Sequence, residues 1–242
     1  VRIVVTNCNT TQEMTEEIVR GARAAAGPGT TVTGLTPAWG PASAEGWLDS
    51  YLSAAAVLDT LRTYDGPPYD AVVMAGFGEH GREGVRELVD VPVVDITEAA
   101  AHLACLLGRR YGVVTTLERS RGQIEDSLET AGVARNCAAV VGTGLNVLDL
   151  ADDERTETAF LAAAERACAA GAEVLVLGCA GMTGLQRVVA EKLGLPVVDG
   201  VAAAVRLAES LVALGLTTSR AGSYAEPLPK RRVWGRPLGG GS

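Results

Sequence analysis

The sequence predicts an α/β protein made of two pseudo-symmetric, doubly wound halves with parallel sheets and an active cleft between them. Three observations carry this. Short all-apolar runs such as Val174–Leu177 read as strands buried on both faces, as in parallel sheets. These runs alternate with helical stretches along the chain. The order also repeats. PYDAVVMAGFGEHG (68–81) lies over GAEVLVLGCAGMTG (171–184), PVVDITEAAA (92–101) over PVVDGVAAAV (196–205), and RIVVTN (2–7) over YGVVTT (111–116). Residues 1–95 with 200–225 are assigned to the first half and 96–199 to the second. Residues 226–242 form a basic tail, flexible or docked on a neighbouring subunit.

Each element has a local reason. The β-branched run 2–6 is the first strand. Thr10 and Glu13 have capping-box spacing, so a helix runs to about residue 26, where Gly27-Pro28-Gly29 breaks it. Residues 30–35 alternate as a strand, and 36–46 (TPAWGPASAEG) form a loop. Residues 47–64 form a helix with Leu48, Leu52, Ala55 and Leu58 on one face. Residues 71–75 are a buried strand, 76–81 a turn, 82–88 a helix, 91–94 a strand and 97–107 a helix. In the second half, 111–116, 138–141, 174–177 and 196–198 are strands. Residues 120–131, 155–170 and 201–214 are helices. Thr183 and Gln186 repeat the capping-box spacing, which starts a further helix near 184, ending at 193.

Composition narrows the function. Of 242 residues, 48% are hydrophobic, enough for a sizeable core, but only 4% are aromatic, so that core is Val, Leu, Ala and Ile. A net charge of −8 argues against nucleic acid or an anionic membrane as partner. No apolar run reaches membrane-spanning length and no signal-peptide pattern is seen, although an initiator methionine is expected before Val1. Five widely spaced cysteines suit reduced thiols in a cytoplasm. Two histidines make a histidine-rich metal site improbable, and no metal is expected. Lys192 and Lys230 read as surface residues, which argues against pyridoxal phosphate. No cofactor is expected. The partner is a small molecule, and the chain is expected to form a homo-oligomer.

The chemistry centres on Cys179. It stands just past a strand's C-terminal end, where open α/β sheets bind ligands, between Gly178 and Ala180-Gly181. A helix expected to start just beyond would lower its pKa. The alternative is an inert core cysteine. A thiol in such a turn, facing a second loop across a cleft, suits proton transfer at carbon, with backbone N–H groups stabilising an enolate.

These residues resemble a known family. VTNCNTT, the GPASAEG loop, AGFGEHG leading to PVVDITEAA, and above all LGCAGM are similar to the Asp/Glu racemase superfamily, in its hydantoin and allantoin racemase branch. The resemblance runs to about Leu214. It implies cofactor-independent racemisation of 5-substituted hydantoins by two facing cysteines. By position Cys179 is one catalytic base, and Asn7, Phe77, Gly78, Ala180 and Gly181 are substrate-binding candidates. Gly76, Gly178, Thr115 and Thr116 join them at the matching strand ends. The family's first cysteine falls on Gly76. Either another residue is the second base, or one-sided protonation suffices, as in the arylmalonate decarboxylases of this superfamily. Phe77-Gly78-Glu79 does not match the hydroxyl residues of those decarboxylases, and Glu79 would repel a dianion, which favours the racemase. A non-catalytic binding protein is a third reading.

Glu79 and His80 are the titratable side chains of the 76–81 turn and the candidates for the missing base. His80 matches neutral pH better, at an ordinary pKa of about 6.5. Cys8 is the next candidate, although a small filler is the simpler role. Gly76 leaves room that a longer side chain could use, and Gly76→Cys is expected to restore a base. Trp39 and Trp47 could wall a pocket for an apolar substituent. Cys105, Cys137 and Cys168 read as structural and His102 as a surface residue.

Overall fold

In the computed structural model, which describes residues 1–148, 153–182 and 185–232, every expected strand is present. In chain order the elements are β1 (Arg2–Thr6), α1 (Gln12–Ala25), β2 (Thr31–Leu35), α2 (Trp47–Arg62), β3 (Ala71–Met74), α3 (Arg82–Leu88) and β4 (Val93–Asp95), then α4 (Ile96–Leu107), which crosses to the other sheet. There follow β5 (Tyr111–Thr115), α5 (Arg121–Thr130), β6 (Cys137–Gly142), α6 (Asp153–Ala169), β7 (Val174–Leu177), α7 (Gln186–Leu193) and β8 (Val197–Asp199), then α8 (Gly200–Ala213), which crosses back.

Each sheet has four parallel strands, in the orders β2-β1-β3-β4 and β6-β5-β7-β8. In both, the chain winds outward from the first strand and then, from the third, in the other direction. The central pairs β1/β3 and β5/β7 are therefore topological switch points, and a crevice opens beyond their C-terminal ends. Thr6 pairs with Met74 and Val114 with Leu177. The Ala75 amide donates to the Thr6 carbonyl at 2.9 Å, and the Gly178 amide to the Val114 carbonyl at 2.7 Å. Superposing the halves on these bonds lays Asn7 over Thr115 and Cys8 over Thr116. That is one residue away from the alignment of RIVVTN with YGVVTT, because sheet pairing follows backbone hydrogen bonds rather than letters.

The repeated PVVD segments are strands that end in helix caps. The Asp95 carboxylate accepts from the Thr97 amide at 2.8 Å, and Asp199 from the Ala202 amide at 3.0 Å. The helices they start join the halves. α4 packs on β7 and β8 as well as β4, α8 packs on α1, β3 and β4, and the two lie side by side. Their facing residues are small: Ala100, Ala101, Ala104, Ala203, Ala204 and Ala208 are buried. Alanine lets the helices approach closely, which is how a core poor in aromatic residues still packs.

Three expectations are corrected. Thr10 does not cap α1. Its hydroxyl, like that of Thr11, binds the 36–46 loop, at the carbonyls of Pro41 (3.4 Å) and Ala42 (2.7 Å). The buried face of α2 is Ser50, Ser53, Ala56, Val57 and Leu61, and Leu48 is 71% exposed. Ser50 is tolerated inside because partners from two other segments bond it. A short 3₁₀ turn, Ala180–Met182, follows Cys179, and α7 starts only at Gln186. Thr183 and Gly184, the expected cap and first residue of α7, lie outside the described residues. The segment after α8, assigned to the first half, bonds residues of that half. Thr218 donates to the Val91 carbonyl at 2.7 Å, and Arg220 binds Asp90 and the carbonyls of Arg86 and Glu87. Residues 233–242, with Arg236, lie outside the described residues.

Behind the 76–81 turn, Arg82 is fully buried. Its guanidinium lies 2.8 Å from Glu83, 3.4 Å from Glu98, 3.5 Å from Glu79 and 3.8 Å from Asp95. The pairs hold the starts of α3 and α4 together. Arg82→Ala leaves buried carboxylates without their cation and is expected to lower stability by about 3–5 kcal/mol, read from the urea midpoint. An unchanged midpoint would assign the network no structural role.

Candidate active site

The two switch points face each other across a cavity of about 40 Å³. Cys8, Gly76, Phe77 and His80 line it from the first half, and Thr115, Thr116, Gly178, Cys179 and Ala180 from the second. It admits a few water-sized groups, which suits a small flat ring rather than a polymer.

Cys179 reaches the cavity because Gly178 allows it. A Cβ on Gly178 would stand 2.7 Å from the Val114 carbonyl oxygen, so the close approach of β5 demands glycine there. The Gly181 amide hydrogen-bonds the sulfur and favours its thiolate, yet burial dominates and pushes the Cys179 thiol up to about 11, with the Glu45 carboxylate adding to the rise. The expected lowering by a helix N-terminus is not realised, because a 3₁₀ turn stands where the helix was expected. Glu45 itself accepts from the Val147 amide at 2.9 Å, tying the 36–46 loop to the second half beside the cavity. Thr115 donates to the Gly178 carbonyl at 3.1 Å and braces the same turn.

Across the cavity, Cys8 lies between two asparagines that bond each other. The Asn7 amide nitrogen donates to Asn9 Oδ1 at 2.9 Å, and the Asn9 backbone amide to Asn7 Oδ1 at 3.3 Å. Asn7 also donates to the Thr11 carbonyl and Thr15 hydroxyl, so its side chain builds the loop after β1. Burial first, then the neighbouring Cys179 and Asp95, pushes the Cys8 thiol up to about 12.

Gly76 is not an empty position. A Cβ there would lie 2.8 Å from Cys8 Cβ, 2.9 Å from Cys8 Sγ, and closer still to His80 Cδ2. The sulfur and the imidazole already occupy the volume a side chain at 76 would need. His80 is buried, with Nε2 3.3 Å from the Phe77 carbonyl and Nδ1 3.3 Å from the Ser50 hydroxyl. A carbonyl only accepts, so Nε2 carries the proton. Burial lowers His80 to about 4 and keeps it neutral. Gln123 completes the bracing, donating to the Ser50 hydroxyl and, at 3.0 Å, to the Glu79 carbonyl, and the Ser50 hydrogen is left for Nδ1.

The structure gives two of the three expected catalytic side chains surroundings that the sequence did not indicate. Glu79 does not line the cavity. Its carboxylate accepts from the Gly81 and Arg82 amides at 2.7 and 3.0 Å and caps α3, where the helix dipole favours it. His80 lines the cavity, but both ring nitrogens are engaged, and it wedges the turn rather than facing a substrate with a free base. Among the binding candidates, Asn7, Gly76, Phe77, Thr115, Thr116, Gly178 and Ala180 line the cavity, and Gly78 and Gly181 do not. The Gly78 amide is bonded to Thr97 Oγ1 at 2.8 Å, and that of Gly181 to the Cys179 sulfur. Trp39 binds Asp59 and Trp47 stacks on Tyr51, both away from the cavity.

The sequence reading missed Asn9, Met14, Ala44, Ala75, Ser120, Gln123 and Val147. Ser120 and Gln123 follow β5 closely enough for the strand-end rule to have flagged them. Ala44 and Val147 arrive on loops with no such signal. Among the described residues no three histidines, cysteines or carboxylates gather as metal ligands.

A model of the family "Asp/Glu/Hydantoin racemase" matches residues 3–208. A hydantoin racemase of Paenarthrobacter aurescens is 39% identical over 233 residues, covering 95% of this chain and 99% of its own. The crystal structure of an allantoin racemase from Pseudomonas fluorescens superposes with a TM-score of 0.94 at 52% identity, covering 96% of this chain and 100% of its own. An arylmalonate decarboxylase structure, at 17% identity and a TM-score of 0.60 over 89% of this chain and 94% of its own, shares the fold alone.

Two outcomes follow from the geometry. His80 titrates near 6.5 when unfolded and near 4 when folded, so the unfolded chain takes the proton first as pH falls. Stability from this group is therefore full above pH 6.5 and lost on descending to pH 4, by about 3 kcal/mol. His80→Gln should abolish that part of the slope in urea titrations between those pH values. An unaltered slope would place the ring in solvent. Gly76→Ala should cost about 1–3 kcal/mol through overpacking, and Gly76→Cys should disrupt the turn rather than restore a base. A Gly76→Ala melting temperature at the parent value would refute the packing.

Proposed function

Since the chain belongs to the Asp/Glu/hydantoin racemase family and is an isomerase, we propose that it racemises 5-monosubstituted hydantoins at the ring carbon C5, with Cys179 as acid/base on one face. The observation that carries this reading is the half-buried Cys179 thiol at the end of β7, in a cavity between two matching switch points, with an amide hydrogen-bonded to its sulfur.

C5 of a hydantoin sits between a ring carbonyl and a ring nitrogen. Loss of its proton places negative charge on the carbonyl oxygen, where fixed N–H dipoles are most effective in a site shielded from water. The Cys179 thiolate takes the proton. Burial that raises the thiol's proton affinity also makes the thiolate a stronger base, which a weak carbon acid needs. Proton return to the opposite face inverts the centre, and return to the same face does not. The proton leaves and comes back, so the scheme calls for no cofactor.

The lining supports a small polar substituent. Asn9, Ser120 and Gln123 border the cavity, while Trp39 and Trp47 stand away from it. A ureido group, which makes the hydantoin allantoin, fits this lining better than an aryl group. The decarboxylase alternative is less well supported. Among the described residues no Arg or Lys lines the cavity, so a malonate dianion would enter without a countercharge.

The test is polarimetry on each enantiomer of allantoin and of 5-benzylhydantoin, in deuterium oxide with a chelator present. Rotation should decay from both enantiomers with deuterium appearing at C5, faster for allantoin. Cys179→Ala should lose about 10²–10⁴-fold in turnover while keeping its fold by circular dichroism. A folded alanine variant with near-parent turnover, or CO₂ release from an arylmalonate without racemisation, would overturn the reading.

A further inference from the structure

We propose that Cys8 is the second acid/base of the reaction, acting on the face of the ring opposite Cys179. The proposal rests on the racemase reading and names the proton carrier that Gly76 cannot supply.

The argument begins with register. β1 and β3 run parallel with Thr6 beside Met74, and the Ala75 amide bonds the Thr6 carbonyl. Two residues further on, Cys8 lies beside Gly76. The Cys8 sulfur is 2.9 Å from where a Cβ on Gly76 would be, so it already occupies the place of a side chain at 76. The first half therefore still presents a thiol at its switch point, carried by β1 rather than β3. A cysteine at 76 and a cysteine at 8 would compete for one volume, and in this chain Cys8 fills it.

Placement across the cavity follows from the pseudo-symmetry, which makes Gly76 the counterpart of Cys179, together with the pairing that sets Cys8 against Gly76. Cys8 ends the central pair of one sheet and Cys179 the central pair of the other, and both line the cavity between the sheets. Of the described residues lining it, three titrate: Cys8, Cys179 and His80. Hydrogen bonds engage both nitrogens of His80, which leaves two thiols. A charge on Cys179 is felt at Cys8, as expected of two groups that share one small space. The reciprocal Asn7–Asn9 bonds hold the backbone on either side of Cys8, giving it the fixed aim that a proton carrier needs.

The proton balance closes. In one direction the Cys179 thiolate breaks the C5–H bond and becomes a thiol, and the Cys8 thiol gives its proton to the other face and becomes a thiolate. In the other direction the roles exchange. Each turnover leaves the opposite cysteine ionised, and the two protonation states re-equilibrate through water. Two thiolates in one small cavity repel each other, as the effect of Cys179 on Cys8 shows, so one thiolate rather than two is the working form.

The test compares the parent, Cys8→Ala, Cys8→Ser and Cys179→Ala on each enantiomer of allantoin and 5-benzylhydantoin in deuterium oxide. Rotation and C5 deuteration are followed separately. Cys8→Ala and Cys8→Ser should lose racemisation by about 10²-fold or more. They should still wash deuterium into one enantiomer with retention, through Cys179. Cys179→Ala should show the mirror preference. Three results overturn the proposal: racemisation within a few-fold of the parent in a folded Cys8→Ala protein; equal loss of exchange from both enantiomers at an unchanged melting temperature, which would make Cys8 a packing residue; or recovery of racemisation in Cys8→Ser with Cys8→Ala unfolded, which would make volume the requirement. A parent that racemises neither substrate would instead refute the functional reading itself.

Discussion

The backbone pairing of β1 with β3, and of β5 with β7, is the constraint from which the rest of this molecule follows. Parallel strands share a direction, so all their C-terminal ends lie at one side of the sheet, and reversal of winding at the central pair leaves that side uncovered. A single residue of register decides which side chain stands at the opening. It places Thr115 and Thr116 beside Gly178 and Cys179, and Asn7 and Cys8 beside Ala75 and Gly76. A slip of one residue would turn each side chain to the other face of its sheet. Strands buried on both faces make such a slip costly, and Val5, Val73, Val113 and Val176 are all fully buried.

Packing of the first-half turn then determines its chemistry. Gly76, Cys8 and the His80 ring share one small volume, and only a residue without a side chain fits at the third corner. His80 fits because burial holds it neutral and because the Phe77 carbonyl and Ser50 hydroxyl satisfy its nitrogens. The Ser50 that looked out of place on an apolar helix face is part of that arrangement. Burial also keeps both thiols protonated in the resting site. The same desolvation that makes thiolate scarce makes it basic when it forms.

The halves are held in position by elements outside the site. α4 and α8 each start from an aspartate cap on one sheet and pack on the other, so the distance across the cavity is set by a helix pair whose small side chains allow close contact. On the open side, Thr10 and Thr11 hold the 36–46 loop through its carbonyls, and Glu45 reaches from that loop to the Val147 amide of the second half. The loop is thereby bonded to both sides of the cleft. Arg82, buried under the first turn among four carboxylates, ties α3 to α4 on the side away from the cavity.

The sequence by itself determined the α/β class, the duplication, the order of elements and the place of Cys179 just past a strand end. These are legible because they depend on local signals: apolar run length, glycine and proline breaks, aspartate caps, and a repeat that survives in the letters. Which side chain stands beside Gly76 was decided by the tertiary structure. Glu79 and His80 are near Gly76 in sequence, but one caps a helix and the other wedges a turn, whereas Cys8 comes from 68 residues away by strand pairing. The same holds for the buried face of α2, where Ser50 is inside because of partners from distant segments, and for the thiol pKa, which follows burial rather than sequence position. Periodicity and motifs record what a segment does with its neighbours along the chain. Register, desolvation and the filling of a shared volume are properties of neighbours in space, and no single stretch of this chain contains them.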